Sequence, residues 1–571
     1  MRTTSEDPVD RSIDSAARVD VVGRHTNLVR RTALVSLLTL ASRIIGFARE
    51  MISASIFGDR SAISDAFVTA WRVPNLFRGL MGEGAITTAM QSEMTRVEHE
   101  RGLDAGRRLF HATLRTVLLA SIAVTIVGVA LVLVVPDTMP ITGWHWLGSD
   151  PGPVRELTAR MLPFVVFVCG AAVVGGALQV RGHFLAPALA PVVMNACWIG
   201  ALFVTANTYG WIGNAGETGS ERFARHLDMA RMLAAFVLGA GAVLFLVHVP
   251  PLARRGLFGA RSGEVVAPRV RTRAVWSIMK STLPLAFGAA VFQVNALISG
   301  FLAEALLANG GPTALYYAAR LQQLPLSLVS VAATSAVFPT LAALGRVGDR
   351  VGLKRLHDDT HFAVLFVAVP ATFGLFAFAG PVCAVCFGHG AFGVEGVERT
   401  SAALRWMTFA ILPVGATGLV ARAHYALGDY KTPVKIAVAM LVLNTALSVV
   451  FVAGLGMDAD GLALATAISA WGNVILLTPY LRRALGSTDV SNASASTPKR
   501  ASGVSRVSRI VVSALAAVGL AYALHRVLGF EANSASALAL SIAIAVCAYA
   551  GITLSLGVPE AAHLVRRLRR A

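Results

Sequence analysis

Charged residues are scarce in this sequence: they make up only 14% of its 571 residues, whereas 55% of the residues are hydrophobic. A soluble protein of this size has about a quarter of its residues charged. The missing charged surface must be replaced by surface that does not face water. The composition therefore excludes an ordinary soluble protein and predicts one embedded in lipid.

Cysteine is scarce as well, and its five occurrences all fall in apolar stretches. Cys383 and Cys386 form a C-x-x-C pair. A redox or zinc motif needs a polar, accessible setting, and zinc needs further ligands. Because neither is present nearby, we predict no metal site and expect all five cysteines to pack as small apolar residues in helices.

Acidic residues are outnumbered by basic ones, which gives a net charge of +18. The basic residues cluster between apolar segments and lack the aromatic interleaving of a single-strand nucleic-acid binder. We therefore predict no nucleic-acid partner and interpret the excess as topological, since Lys and Arg keep loops in the cytoplasm. The sequence also lacks a P-loop and a nucleophile constellation, which argues against an ATP-driven pump.

Apolar segments long enough to cross a membrane, which takes about 20 residues, recur along the chain. The second and eighth candidates contain Arg, Asn, Gln and Pro, so they can span the membrane only if those side chains face a cavity. An all-α membrane protein with fourteen spans follows. The candidates are 32–57, 61–92, 109–135, 157–180, 184–206, 228–250, 277–305, 312–345, 359–387, 401–427, 433–454, 460–481, 508–528 and 534–556.

Loop charges support this count. With a cytoplasmic amino terminus, most loop Lys and Arg residues fall on the cytoplasmic side. Miscounting one helix would disrupt that alternation, so the asymmetry predicts both termini inside. The first apolar run is too long and too late for a cleaved signal peptide and is expected to remain as helix 1. The basic residues left on the opposite side are Arg60, Arg155, Arg222, Arg225, Arg399 and Arg526.

A weak internal repeat predicts two lobes. Arg108 and Thr113 are echoed 247 residues later by Arg355 and Thr360, each pair opening a long apolar helix. A parallel repeat of six helices places a substrate cavity between the lobes. The predicted division is a polar tail 1–30, an N-lobe 31–250, a basic linker 251–276, a C-lobe 277–485, a Ser-rich basic linker 486–507, helices 13 and 14 at 508–557, and a basic tail 558–571.

Arginines stand inside helices that ought to exclude them. An arginine near mid-membrane costs about 2.5–3.5 kcal/mol on insertion scales. Arg43 and Arg49 lie in helix 1, where Arg43 and Glu50 are seven residues apart and share a face. Helix 2 contains Arg72 and Arg78. Because a guanidinium binds phosphate oxygens bidentately and stays charged, these helices predict a site for a phosphate group.

The rest of helix 2 fits a cavity wall. Pro74 is expected to bend it, and Gly79 and its neighbouring glycines leave room for a large ligand. In the second lobe, Arg320 is again an intramembrane cation close to a proline and is expected to face the first-lobe arginines. The alternative stays open that the arginines form buried ion pairs or sit at helix ends. Asp65 can instead cap its own helix or pair with Arg60.

Six short motifs carry a resemblance: Ser-Arg-Ile-Ile-Gly-Phe-Ala-Arg-Glu at 42–50, Ser-Asp-Ala-Phe at 64–67, Arg-Val-Pro-Asn-Leu-Phe-Arg at 72–78, Gly-Glu-Gly-Ala at 82–85, Tyr-Tyr-Ala-Ala-Arg-Leu at 316–321 and Lys-Thr-Pro-Val-Lys at 431–435. Together they resemble the MurJ (MviN) family of lipid II flippases, within the multidrug/oligosaccharidyl-lipid/polysaccharide exporter superfamily. The resemblance extends over about residues 30–560. The first three motifs together are specific, whereas fourteen spans alone are not.

The resemblance implies a V-shaped pair of lobes around a cationic cavity in the bacterial cytoplasmic membrane. It implies a transporter and not an enzyme, without a cofactor, whose substrate is undecaprenyl-pyrophosphate carrying the peptidoglycan disaccharide-peptide. Helices 13 and 14 resemble the pair that forms a groove for the lipid tail. The implied substrate-binding residues are the arginines Arg43, Arg49, Arg78 and Arg320, the acidic Asp65, and the motif members Arg72, Asn75 and Glu83.

Three positions depart from the family pattern. Gly79 stands where the family often has a second arginine, and Ala319 stands where it often has an aspartate before the second-lobe arginine. The segment 91–93 replaces the usual Phe-Val-Pro. The partner of Arg320 is therefore the least determined part of the predicted site.

The predicted mechanism is alternating access by a single chain, without a cofactor. The membrane potential, at about 2.3 kcal/mol per charge per 100 mV, or coupling to a monovalent ion supplies the energy. The alternatives are a flippase for another polyprenyl-pyrophosphate-linked saccharide, a membrane glycosyltransferase or polymerase, and a scaffold. A cationic-drug exporter is disfavoured because it would need acidic cavity residues.

Overall fold

The computed structural model describes residues 34–59, 61–82, 85–134, 136, 150–210, 219–257, 275–279, 293–334, 337–486, 503–531 and 533–568. All regular structure within these ranges is helical. The all-α prediction is therefore confirmed.

The first half of the chain contributes nine helices to the described ranges. Two of them, α5 and α6, follow each other closely and together form one candidate membrane span, Pro151–Val180. The helices are α1 (34–57), α2 (Ala62–Phe77), α3 (Ala85–Arg101), α4 (Leu103–Val134), α5 (Pro151–Met161), α6 (Phe164–Val180), α7 (Leu185–Tyr209), α8 (Gly219–Leu246) and α9 (Val249–Arg254). A π-helical turn at Arg78–Gly82 separates α2 from α3.

Besides a short helical segment at 275–279 and a π-helical turn at Val450–Gly454, the second half, together with the carboxyl-terminal segment, contributes twelve more numbered helices. They are α10 (293–306), α11 (Gly311–Thr334), α12 (Phe338–Val347), α13 (Arg350–Ala377), α14 (Ala379–Phe387), α15 (Val394–Thr408), α16 (Ile411–Ala426), α17 (Lys431–Val449), α18 (Ala459–Leu485), α19 (Gly503–Val527), α20 (Ala535–Ser555) and α21 (Pro559–Leu568).

Ten helical segments in the described ranges are long and apolar enough to cross a membrane. They coincide with the third to sixth and the ninth to fourteenth predicted spans. The first, second, seventh and eighth are not among them. Helix α1 carries three charged residues, Arg43, Arg49 and Glu50, and much of the seventh span lies outside the described residues. The total of fourteen spans stays a prediction, as do the lobe and linker boundaries.

Several helices begin earlier than hydropathy indicates, because capping rather than apolarity sets their start. The fourth predicted span begins at Pro151, where the Asp150 side chain accepts a hydrogen bond from the Gly152 N–H at 3.2 Å. Helix α13 begins nine residues before the predicted 359, where Asp349 accepts from the Gly352 N–H at 2.8 Å. The added turns are polar and extend beyond the apolar segment.

The second and eighth predicted spans, which contain polar residues, are each divided into two helices. The predicted helix 61–92 is divided by the π-helical turn, and α3 continues to Arg101. Pro74 lies inside α2, so the helix continues through it and the irregular turn follows four residues later. The predicted helix 312–345 is divided into α11 and α12.

One apolar cluster joins the two halves of the molecule. It contains Phe57 and Trp71 from the first half and Tyr317 and Phe387 from the second. Phe47 of α1 lies 6.3 Å from Phe387 between ring centroids. The halves are therefore packed together where α1 ends and α2 begins, and we call this region the closed end.

The carboxyl-terminal pair α19 and α20 packs on α13. The Tyr549 hydroxyl donates to the Phe366 carbonyl oxygen at 2.9 Å, and the Arg506 guanidinium lies 4.0 Å from the centre of the Phe362 ring. Cys169 and Cys383 are buried as predicted, whereas Cys197 and Cys547 are exposed. The packing prediction is wrong for these two, because an apolar side chain facing lipid needs no protein partner.

Candidate substrate-binding site

Helix α1 places Arg49 and Glu50 side by side in the interior, where both are buried. They form an ion pair with each other, Arg49 donating through Nη2 to Glu50 Oε1. An unpaired charge at such a depth would be costly, so neighbouring opposite charges stabilise each other there.

Helix α7 fixes the position of Arg49. The guanidinium donates through Nη1 to Asn195 Oδ1 at 3.1 Å and lies 4.4 Å from the centre of the Trp198 ring. Asn195 in turn donates through Nδ2 to the Ser42 carbonyl oxygen at 3.2 Å. One amide therefore holds both the arginine and the backbone of the helix that carries it.

Helix α11 brings Arg320 to the same carboxylate. Arg320 Nη2 donates to the Tyr316 hydroxyl at 2.9 Å, and Nε lies 3.5 Å from Glu50 Oε1. The Tyr316 hydroxyl lies 3.2 and 3.3 Å from the two Glu50 oxygens. Gln323 accepts from Arg320 Nη1 at 3.2 Å. The partner of Arg320 is therefore Glu50 of the other half, and the arginines of the two halves meet at one carboxylate.

Arg72 of α2 lies at the edge of this cluster. Its guanidinium is 5.7 Å from the centre of the Tyr316 ring, and Nη1 donates to the Ala296 carbonyl oxygen at 3.3 Å. Its Nε and Nη2 are buried and have no hydrogen-bond partner among the described residues. Gly300 of α10 makes room for the side chain, because a Cβ added there would collide with the Arg72 Cδ.

The remaining predicted arginines have different surroundings. Arg78, in the π-helical turn, donates through Nε to Asn75 Oδ1 at 2.9 Å. Arg43 is exposed and forms no hydrogen bond with a described residue, although it shares a helical face with Glu50. Glu83 lies outside the described residues.

Asp65 lies at the closed end and not among the arginines. It is buried and accepts from the backbone N–H groups of Gly310 and Thr313 at 2.6 and 2.9 Å. The Thr313 hydroxyl also donates to it, at 2.5 Å. Asp65 thus caps the amino end of α11 in the other half instead of its own helix. Arg60, its other predicted partner, lies outside the described residues.

Two further hydrogen bonds join the halves at the closed end. The Ala391 N–H donates to the Ser55 carbonyl oxygen at 2.8 Å, and the Gly393 N–H donates to Asp59 Oδ1 at 2.8 Å. Gly58 and Gly390 have φ angles of 70° and 63°, a conformation that favours glycine. A Cβ on Gly390 would collide with the Ser55 carbonyl oxygen. The absence of side chains at these glycines therefore permits the backbones to approach.

Four residues of the cluster are absent from the predicted substrate-binding residues: Glu50, Asn195, Trp198 and Tyr316. Tyr316 precedes Arg320 by one helical turn, and this spacing places both on one helical face. It is a signal that could have identified the tyrosine. Asn195 and Trp198 belong to a helix distant in sequence from α1. The only sequence signal for Asn195 is that it is a polar residue within an apolar segment.

The cluster is suited to binding an anion. Arg49 and Arg320 converge on Glu50, Arg72 lies beside Tyr316, and guanidinium groups bind phosphate oxygens through paired hydrogen bonds. Within the described ranges, no group of three or more His, Cys, Asp or Glu residues is arranged to hold a metal ion.

Comparison with known proteins identifies the family of this chain. The family model described as lipid II flippase MurJ matches residues 53–543. The lipid II flippase MurJ of Burkholderia cenocepacia is 31% identical over 459 residues, which cover 80% of this chain and 84% of the relative. The probable lipid II flippase MurJ of Vibrio cholerae is 29% identical over 460 residues, covering 79% and 82%.

Solved structures share the fold. A lipid II flippase MurJ in an inward closed conformation superposes with a TM-score of 0.67 at 20% identity, covering 91% of this chain and 98% of that one. An inward-facing MATE-family multidrug transporter of the MOP superfamily superposes with a TM-score of 0.60 at 14% identity, covering 78% and 96%. By its match to the family model over most of its length, the chain belongs to the lipid II flippase MurJ family.

Proposed function

We propose that this protein is a transporter that flips lipid II from the cytoplasmic to the outer leaflet of the bacterial cytoplasmic membrane. The observation that carries the proposal is the convergence of Arg49 and Arg320, one from each half, on a buried site inside the bundle. The relatives named as lipid II flippases support the same substrate. No bond of the substrate is broken, so the protein is not an enzyme.

In this proposal the arginines hold the pyrophosphate. Arg49, Arg72 and Arg320 form the deep part of the site, and Arg43 and Arg78 contact the headgroup as it enters. Asn75 positions Arg78, to which it is hydrogen-bonded, and Glu83 belongs to the same segment of helix 2. The buried ion pairs with Glu50 are the substrate-free arrangement of the same groups, so ion pairing and substrate binding are successive uses of one site.

The direction of access follows from the topology proposed above. If both termini are cytoplasmic, α1 runs outward and the closed end faces the outside of the cell. The substrate then enters from the cytoplasm, and the contacts of Asp65 with α11 break before release on the other side. The lobes 31–250 and 277–485 rock against each other, and the lipid tail stays along α19 and α20.

An energy source is needed because several charge-assisted hydrogen bonds must weaken for release. Moving one charge through 100 mV supplies about 2.3 kcal/mol. The membrane potential therefore provides energy on the required scale, and coupling to a monovalent ion is the second candidate. A single chain contains both halves of the cluster, so the transport unit is a monomer.

The test is a lipid II translocation assay in cells that express Arg43→Ala, Arg78→Ala or Arg320→Ala at normal levels. We expect each to lose most of its transport, while Arg96→Ala retains it, since, among the described residues, the half-exposed Arg96 side chain pairs only with Glu93 and Glu100 of its own helix. Normal transport by all three cavity variants would overturn the assignment. A polyprenyl-pyrophosphate carrying a different saccharide, offered in parallel, tests the alternative cargo.

A further inference from the structure

Glu50 poses a problem for a site that binds anions, because it is itself a buried anion at the centre of the site. Both of its neighbouring arginines are turned onto it: Arg49 forms the adjacent ion pair and Arg320 approaches to 3.5 Å. The Tyr316 hydroxyl lies within hydrogen-bond distance of both carboxylate oxygens. Glu50 therefore already takes the hydrogen bond of Arg49 Nη2 and pairs electrostatically with Arg320, whose Nε has no hydrogen-bond partner among the described residues.

Carboxylate and phosphate compete for the same donors, because the guanidinium fork matches the oxygen spacing of both. Glu50 is held by its helix and cannot diffuse away, so its effective concentration at the arginines is high. Its presence also stabilises the empty site, where unpaired arginines would be costly in a water-poor interior. A ligand must therefore offer more than Glu50 does in order to replace it.

The surrounding membrane contains many anionic phospholipids, which a lipid II transporter must not bind in place of its substrate. Phosphodiester lipids carry one negative charge on one phosphate, which is also the charge of Glu50. A lipid pyrophosphate diester carries two charges and more oxygens. It can engage Arg72 as well, whose Nε and Nη2 have no hydrogen-bond partner among the described residues. Replacing Glu50 by a phosphodiester therefore gains little binding free energy. Replacing it by a pyrophosphate adds one negative charge and further hydrogen bonds to the arginines.

We infer that Glu50 is a specificity-determining residue: a tethered carboxylate that occupies the arginine cluster when substrate is absent and yields it to a pyrophosphate but not to a single phosphodiester. This inference rests on the proposed function. It assigns to Glu50 the exclusion of bulk anionic phospholipids from a cavity that opens into the bilayer. It also supplies an anion that re-forms the ion pairs as the substrate leaves.

The experiment compares two ligands on the purified full-length protein in detergent: undecaprenyl pyrophosphate and dioleoylphosphatidylglycerol. The variants are Glu50→Gln, which removes the charge, and Glu50→Asp, which keeps it. Glu156→Gln is the matched control, because Glu156 also lies between two arginines, Arg160 and Arg231, but away from the cavity. The measured quantity is the ratio of the two dissociation constants.

We expect Glu50→Gln to bind phosphatidylglycerol at least about tenfold more tightly, since one charge-assisted competitor is removed. The affinity for undecaprenyl pyrophosphate should rise less, so the two dissociation constants should become more alike. Glu156→Gln should keep the wild-type ratio, and Glu50→Asp, which retains the charge, should lie nearer to the wild-type ratio than Glu50→Gln does. Should Glu50→Gln fail to fold, Tyr316→Phe takes its place, because it removes a hydrogen bond that holds Glu50 in the site and changes no charge at neutral pH.

An unchanged ratio in the folded variant would overturn the inference. The proposed function has its own check, the wild-type protein and Arg320→Ala with undecaprenyl pyrophosphate alone. Suppose that the wild type binds undecaprenyl pyrophosphate and that Arg320→Ala weakens this binding. If Glu50→Gln then leaves the ratio of dissociation constants unchanged, only the inference about Glu50 fails. If Arg320→Ala binds as tightly as the wild type, the arginine site itself is wrong and the inference falls with it.

Discussion

Asp65 accepts two hydrogen bonds from Thr313, whose backbone N–H and hydroxyl lie 2.9 and 2.5 Å from Oδ1. A carboxylate at the amino end of a helix is stabilised both by the exposed N–H groups and by the helix dipole. Here the carboxylate and the helix belong to opposite halves of the molecule. Opening the closed end therefore requires that this capping interaction be lost.

Asp65→Asn is expected to weaken the closed end by about 1.5–3 kcal/mol, the usual contribution of a hydrogen bond to a charged group. The measurement is labelling of a cysteine at the buried position Ala66 by a membrane-impermeant maleimide, in a background without native cysteines. Labelling should increase in Asp65→Asn. Asp104→Asn, which alters only an exposed pair with Arg107, is the control. Equal labelling in both would contradict the capping role.

Gly390→Ala is expected to destabilise the closed end because its φ of 63° disfavours a side chain and the added Cβ would collide with the Ser55 carbonyl oxygen. The cost should be about 1–3 kcal/mol. Thermal unfolding of the purified protein should show a lower midpoint. Gly519→Ala in α19 has open space around its Cβ and should leave the midpoint unchanged or raise it. A shared midpoint for both variants would argue against close backbone approach.

Asn195→Leu is expected to lower transport by about tenfold or more, since Arg49 loses one hydrogen bond to a charged group. The loss should appear in the translocation assay at normal expression. Asn473→Leu is the control, because the amide oxygen of Asn473 has no hydrogen-bond partner among the described residues. If Asn195→Leu transports normally, Arg49 does not depend on α7 for its position.

Arg320→Lys separates charge from geometry. The lysine keeps the positive charge near Glu50 but loses the planar fork that contacts Tyr316, Gln323 and Glu50 together. We expect transport between that of the wild type and that of Arg320→Ala. Full activity would show that charge alone suffices at this position, and activity no better than that of Arg320→Ala would make the fork essential.

Much of the fold could be predicted because ten spans are marked by long apolar runs. Their starts were less predictable, since Asp150 and Asp349 extend α5 and α13 by capping, which hydropathy does not register. The interruption at Arg78–Gly82 was also missed. The preceding Pro74 was expected to bend the helix, and α2 continues through it.

The site was predictable where charge conflicts with environment. Arg49 and Arg320 were identified because an apolar helix should not contain them. Their partners depend on packing between helices far apart in the sequence, so Asn195 and Trp198 were not found. Asp65 shows the same limit: its sequence position predicted a local cap or a local ion pair, whereas its partners lie 245 and 248 residues further along the chain.

The adjacency of Arg49 and Glu50 has a consequence for synthesis. Glu50 meets Tyr316 only after 266 further residues have been made. At the usual rates of translation that delay is on the order of 10–50 s. During this interval α1 must stay in the bilayer without the second half of the protein. Because Glu50 and Arg49 are adjacent, they can form a neutral ion pair within the newly synthesised α1. We therefore expect α1 to stay in the bilayer before the second half of the protein has been synthesised.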